Sequence, residues 1–357
     1  MTSILGVRFE RGEPDHIQTL HPAYFALVMA TGIVALAMYI HDVPFLPTVL
    51  FCLNIIFLAA LLVATGIRIV RYPTDFLADV RSQQRGVGFF TLVAALGVCG
   101  SQIMLQFSKP AMAFPFWVAS GLLWGVVTYG VFTILTAQQK KPELWTGLNG
   151  GWLVSVVATQ SVSILTSLLL HAGLFAGQHE LLTFMALVFW LGGGALYMWL
   201  ITLIFFRFMF QPMSAQDLTP PYWINMGAVA ISTLAGTMLP QHAPLSPLIM
   251  EILPFVKGLT LMFWAIGTWW IPMLILLGIW YFLIRDNPFT YNPQYWGAVF
   301  PLGMYSVCTF RLADMVIAPF LKPLSFCFML IAVVAWLTTL ITLVDSRLHA
   351  RWRMRSS

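Results

Sequence analysis

The chain has 357 residues, of which 59% are hydrophobic and only 9% charged, far from the roughly one quarter charged that soluble globular domains carry. That balance excludes a separate soluble domain and predicts a protein built from bilayer-spanning segments of ~20 residues each. A net charge of +5 needs no nucleic-acid partner, because loop charges of a membrane protein account for it.

Ten apolar spans follow in chain order, at roughly 22–41, 46–68, 86–107, 113–137, 148–171, 180–209, 220–240, 256–284, 292–313 and 319–344. Their ends are punctuated. His21-Pro22, Pro220-Pro221 and Asn292-Pro293 place proline at or just before a first helical turn, where its missing N–H costs nothing. Asn149-Gly150-Gly151 reads as a cap for the fifth span. The sixth and eighth spans are long enough to demand tilt or bending, with Gly192-Gly193-Gly194 and Pro272 as bend sites. Residues 1–21 form a short tail of mixed charge, unlike a cleaved signal peptide. Residues 22–344 form one domain of five hairpin repeats, and 345–357 form a basic tail. Between Tyr72 and Arg85, the residues Asp75, Phe76, Leu77, Asp79 and Val80 pattern as a short amphipathic helix along the membrane face.

Fourteen of the 18 lysines and arginines fall on one side of this topology, leaving Lys109, Lys257, Arg311 and Lys322 on the other. The positive-inside rule places both termini in the cytoplasm and the chain in the cell membrane. The basic tail is suited to anionic lipid headgroups. The four cysteines lie within apolar runs with no CxxC pairing, which reads as inert buried thiols.

One motif recurs on alternate spans. An aromatic residue stands at Phe25, Phe90, Trp152, Trp223 and Trp296, with Gly32, Gly97, Thr159, Ala230 and Gly303 seven positions on. Repetition at near-even spacing signals one structural unit used several times. The five odd spans enter the membrane from the same side and are rich in small residues. They are expected to form an inner ring of parallel helices around a pore, with the greasier even spans outside. Gly32, Ala94, Gly97, Thr159, Gly227, Ala230 and Gly303 are the pore-lining candidates. Two ordinary explanations compete: small residues serve close helix packing, and aromatics near helix ends form an interfacial belt. Neither explains five occurrences on alternate spans only.

The ninth span departs from its repeats. Four residues beyond the aromatic, where the other units have Met29, Ala94, Val156 and Gly227, it has Phe300, followed by Pro301. Proline there frees the carbonyl of Gly297 and bends the helix, which membrane proteins tolerate where the bend lines a cavity. A phenyl ring at that level either occludes an axial channel or packs between helices.

The run WGAVFPLGMYSVCTFRLAD, with HPAYFALVMATGIVALA at residues 21–37, resembles the tellurite-resistance/dicarboxylate transporter family, which also holds the plant guard-cell slow anion channels. The resemblance extends over all ten spans. It implies five helical hairpins around a central pore, homotrimers with one pore per subunit, and a pore plug at Phe300. It also implies permeation of small anions such as chloride, nitrate, sulfite or C4-dicarboxylates, with a possible link to tellurite. Plant members carry a long phosphorylated N-terminal region, and about 20 residues precede the first span here, so kinase gating of that type is not expected.

The residues themselves favour anions modestly. No acidic side chain lies in the middle of an odd span, and five helix N-termini at one mouth attract negative charge. Arg311 near the far end of the ninth span either attracts anions or is neutralised by Asp314 one turn on. A broad, weakly selective conduit is expected. The alternative is a proton-coupled C4-dicarboxylate carrier, but coupling usually needs an ionisable residue inside the membrane. His171, His179, Glu180, Arg207, Glu251 and Lys257 all lie at span edges. An enzyme is not expected, and neither are catalytic residues, a cofactor or a metal. His179-Glu180 begins an HExxH-like string, but Thr183 stands where the second histidine belongs.

Overall fold

The computed structural model describes residues 16–212, 219–281 and 292–356, and these are helical with no strand among them. Arg8, Arg11 and Arg285, counted above toward the cytoplasmic face, lie outside the described residues. The helices are α1 (Ala26–Ile40), α2 (Leu46–Arg71), α3 (Pro73–Arg81), α4 (Phe90–Phe107), α5 (Pro110–Ala137), α6 (Leu144–Gly147), α7 (Val154–His171), α8 (His179–Phe210), α9 (Ile224–Met238), α10 (Pro247–Glu251), α11 (Leu253–Ile279), α12 (Trp296–Met315) and α13 (Lys322–Ser356). Eight helical segments of the described chain are long and apolar enough to cross a membrane. The expected seventh and ninth spans correspond to α9 and α12 and are not among the eight. Asn225, Ser232 and Thr233 dilute the apolar character of the first, and Arg311 and Asp314 that of the second.

Each of α1, α4, α7, α9 and α12 is preceded by a short 3₁₀ turn, at Pro22–Phe25, Gly86–Phe89, Gly150–Leu153, Pro220–Trp223 and Pro293–Tyr295. The recurrent aromatics fall in or just after these turns. Three of the turns are capped by a side chain that accepts from a backbone N–H two residues on, from His21 Nδ1, Asn149 Oδ1 and Asn292 Oδ1. The amphipathic segment between Tyr72 and Arg85 is the helix α3.

Burial separates two classes of helix. The spans beginning at Pro22, Gly86 and Gly150 are 78%, 89% and 100% buried, and the other five lie between 17% and 44%. α9 and α12 are also buried along nearly their whole length. Among the buried five, α1 packs on α4, α4 on α7, α7 on α9, α9 on α12, and α12 on α1. Each outer helix leans on its own partner and on the next inner helix: α2 on α1 and α4, α5 on α4 and α7, α8 on α7 and α9, α11 on α9 and α12, α13 on α12 and α1.

Polar clamps mark the contact of each outer helix with the next inner one. Indole N–H groups of Trp124 and Trp117 on α5 donate to Thr159 and Thr166 on α7, both at 2.8 Å. Trp190 on α8 donates to the carbonyl of Ser232 on α9 (2.8 Å), Trp264 on α11 to Thr309 on α12 (3.0 Å), and Trp336 on α13 to Thr31 on α1 (3.0 Å). Asn54 on α2 does the same for Gln102 on α4 at 2.7 Å. Away from water each such bond satisfies a group that would otherwise be buried unpaired. α8 runs unbroken through Gly192-Gly193-Gly194, where a Cβ on Gly193 would meet Gln160 and one on Gly194 the Phe263 ring, both at 2.6 Å.

Candidate functional site

A narrow cavity of about 40 Å³ lies at the amino ends of the five buried helices. All five contribute: Ala26 and Met29 from α1, Thr91 from α4, Val154 and Val157 from α7, Ile224 from α9, and Gly297 and Phe300 from α12. Phe300 is 1% exposed, so its ring is enclosed by its neighbours at this level. His21, Gln84, Asn149 and Gln294 add polar side chains to the lining. In the third unit the lining residue is Val157, one position beyond the Val156 aligned from sequence.

First-turn residues of all five helices share this cavity, while last-turn residues of α4, α7, α9 and α12 share another. The helices are therefore parallel. Their dipoles and first-turn N–H groups add at the small cavity, whose field favours negative charge. Among the described residues, no Asp, Glu, Lys or Arg side chain lines it.

Just beside it lies a buried ionic network. Asp79 on α3 is held by Arg68 at 2.7 Å and by Arg85 Nε at 2.5 Å. Arg68 Nε also donates to the carbonyl of Gln18 (3.1 Å), and the Gln18 amide donates to Asp75 at 2.9 Å. The network pins the strand of chain that leads into α1, and with it His21. Burial, and then the positive charge of Arg85, lower the His21 pKa to about 4, so this imidazole is neutral at pH 7.

The second cavity, about 760 Å³, is open and polar, and contains Arg311, Lys257, His171 and Asp314. Asp314 pairs with Lys322 at the start of α13, 2.9 Å away, rather than with Arg311. Lys322 also sits over the Phe310 ring at 4.7 Å.

The other sequence candidates occupy helix contacts. A Cβ on Gly97 would lie 2.7 Å from Ser161 of α7, on Gly227 2.6 Å from Pro301 of α12, on Gly303 3.0 Å from Ile33 of α1, and on Gly32 2.4 Å from Val98 of α4. Thr159 accepts from Trp124 and donates to the Ser155 carbonyl. Ala94 and Ala230 are fully or nearly fully buried. The sequence reading takes His21 only as a helix-start signal and Thr91 only as one of the small, weakly polar residues of its span, not as a lining residue. The His-Pro step marked the place, and nothing local marked the convergence.

Residues 19–344 match the family model described as voltage-dependent anion channel. The chain belongs to that family, the same tellurite-resistance/dicarboxylate transporter family that its sequence resembles. Among relatives, an uncharacterized membrane protein of Mycobacterium tuberculosis is 34% identical over 149 residues, covering 42% of this chain and 75% of that one. An uncharacterized transporter of Methanocaldococcus jannaschii is 25% identical over 300 residues, 83% of this chain and 85% of its own. A sulfite efflux pump of Arthroderma benhamiae is 21% identical over 352 residues, covering 90% and 88%. The protein is a membrane protein of an anion-transporting family.

Proposed function

We propose that this chain conducts small anions across the cell membrane along the axis of its five buried helices, and that Phe300 closes the path. In this reading ten helices cross the bilayer as five hairpins, both termini face the cytoplasm, and the 40 Å³ cavity opens inward. The observation that carries it is the cavity itself: five parallel helices each give it a side chain, and the bulkiest of these, Phe300 on α12, is buried within it. Pro301 supports the gate by removing a backbone hydrogen bond beside it. Electropositive helix ends and the lack of lining carboxylates favour anions over cations. The similarity to a sulfite efflux pump makes sulfite a first substrate to try, beside chloride and malate. Family resemblance adds a homotrimer with one path per subunit, which light scattering on the detergent-solubilised protein measures.

The test is anion flux through purified protein in liposomes, wild type beside Phe300→Ala. The alanine form is expected to conduct roughly tenfold faster or more, since a buried ring no longer fills the constriction. Equal, small fluxes in both forms would remove the gate. Malate moving only under a pH gradient in both would replace the channel with the proton-coupled carrier.

A further inference from the structure

The carboxyl ends of the buried helices gather polar atoms that the conduction path does not use. His179 opens α8, and His242 stands in the Leu239–Leu245 turn that follows α9. Their rings meet edge to face, with centroids 5.3 Å apart. His242 is 2% exposed. Its Nε2 and the Nδ1 of His179 are both buried and have no hydrogen-bond partner among the described residues. Next to them Ser167 of α7 and Thr183 of α8 are fully buried, and their hydroxyls also lack partners. Thr183 lies one turn from His179 on the same face of α8. Buried polar atoms are costly to leave unpaired, so a cluster of this kind points to a ligand that takes up lone pairs.

We infer that His179 and His242 together bind one divalent transition-metal ion, of which Zn²⁺ and Cu²⁺ are the kinds that imidazole suits. Three features select a metal. Two imidazoles sharing a tetrahedral ion at ~2.0–2.1 Å place their ring centroids roughly 5 Å apart, close to the 5.3 Å observed. A hydrogen bond to the backbone of Ser167 orients the His242 ring, the kind of outer contact that fixes metal-ligating imidazoles. α7 and α9 both end at this level, against the single start of α8, so the partial charges of the helix termini favour a cation. His179 begins the string whose second histidine is missing at Thr183, and the fold supplies that histidine from the turn after α9 instead. No third His, Cys, Asp or Glu completes the set among the described residues. Water therefore fills the remaining positions, and binding is expected in the micromolar range. The ion ties the start of α8 to a turn whose neighbours Met238, Pro240 and Gln241 line the 760 Å³ cavity. Its effect on transport, a stiffened mouth at that end, rests on the conduction reading above; the binding itself does not.

Titration calorimetry with Zn²⁺ on the chelator-treated, untagged full-length protein in detergent tests the site. Wild type is expected to take up one equivalent. His179→Gln and His242→Gln are each expected to lose roughly tenfold or more in affinity. His41→Gln, at a histidine bonded to Ser325 elsewhere in the fold, is expected to bind as wild type does. Electron paramagnetic resonance of wild type with sub-stoichiometric Cu²⁺ reads the ligands directly and keeps the test alive if the glutamine variants do not fold. Coupling to two imidazole nitrogens is expected. No zinc binding to wild type, unchanged affinity in both glutamine variants, or copper coupled to fewer than two nitrogens would each overturn the proposal. None of these readouts involves flux, so a failure of the anion path leaves them intact.

Discussion

The two ends of the buried helix ring solve one electrostatic problem in opposite ways. At the amino end, backbone dipoles supply the positive field, the lining is free of charged side chains, and the space is closed to about 40 Å³ around Phe300. At the carboxyl end the backbone field has the wrong sign for anions, and the 760 Å³ cavity carries its cations on side chains. Their ion pairs differ in the same sense. Asp79 and Arg68 have side chains 9% and 4% exposed, whereas Asp314 and Lys322 are 48% and 43% exposed. The amino end is braced and narrow; the carboxyl end is open, with an exposed ion pair. The contrast is that side-chain cations line the cavity where the helix ends are electronegative, while at the electropositive end the charged side chains brace the wall from outside the lining.

The largest expected effect breaks the brace. Asp79→Asn leaves two arginines, one of them buried, without their shared carboxylate and is expected to cost about 3–5 kcal/mol. Asp314→Asn, in an exposed pair, is expected to cost no more than about 1 kcal/mol. Thermal unfolding in detergent measures both. Similar costs for the two would mean that the amino end is not held by its ionic network.

Acid should undermine both ends through their histidines. The pKa of His242, buried in the Leu239–Leu245 turn, is lowered to about 4 by burial and then by His179 and His171, and His21 stands at about 4 also. The unfolded chain protonates each near 6.5, so between 6.5 and 4 the unfolded state binds more protons. Stability from these groups is full above pH 6.5 and is lost as pH falls toward 4. His242→Gln and His21→Gln are expected to flatten that loss in melting curves. A slope unchanged by both substitutions would assign the acid sensitivity elsewhere.

Smaller still is the effect of a single methyl group. Gly227→Ala puts its Cβ 2.6 Å from Cγ and 3.2 Å from Cα of Pro301, so Pro301, next to Phe300, must shift. Overpacking of this kind costs about 1–3 kcal/mol, and the flux through the variant should change with it. Gly192→Ala, with nothing within 4 Å of the new carbon, is expected to stabilise α8 by roughly 0.5–1 kcal/mol instead. Destabilisation by both would point to helix geometry rather than to the Pro301 contact.

Much of this arrangement was legible in the sequence because it is written locally. Apolar run length marked the helices, and the aromatic at Phe25, Phe90, Trp223 and Trp296 marked the shared level at which the buried helices begin. In the third unit the lining residues Val154 and Val157 come one position later after the aromatic than in the first and fifth units, so the fully buried Leu153, and not Trp152, holds the repeat's register. Trp152 instead donates its N–H to the Gly147 carbonyl at 3.0 Å. Small residues at Gly32, Gly97, Gly227 and Gly303 look the same in sequence whether they face an axis or a neighbouring helix, and only the fold shows their contacts. The partner of Asp314 was hidden for a similar reason. Arg311 is one helical turn away in sequence, but the chain reverses after α12 and brings Lys322 closer.

The indole clamps were the least legible feature, since donor and acceptor lie far apart in the chain, 305 positions in the case of Trp336 and Thr31. They also permit the finest test of the contrast between the two ends. Trp336 grips Thr31 in the amino half of α1, and Trp264 grips Thr309, two residues before Arg311 on α12. Replacing either by phenylalanine keeps most of the ring packing and deletes one N–H donor, at an expected cost of about 1 kcal/mol each in thermal unfolding. Their functional signatures should differ despite the equal cost. Trp264→Phe loosens the last turns of α12, away from Phe300, and is expected to leave chloride flux near wild type. Trp336→Phe loosens the closure of the ring at α1 and is expected to raise flux. If both variants raised flux alike, the two ends would be one coupled unit, and the division of labour between backbone and side-chain charge would have to be drawn along the whole axis instead.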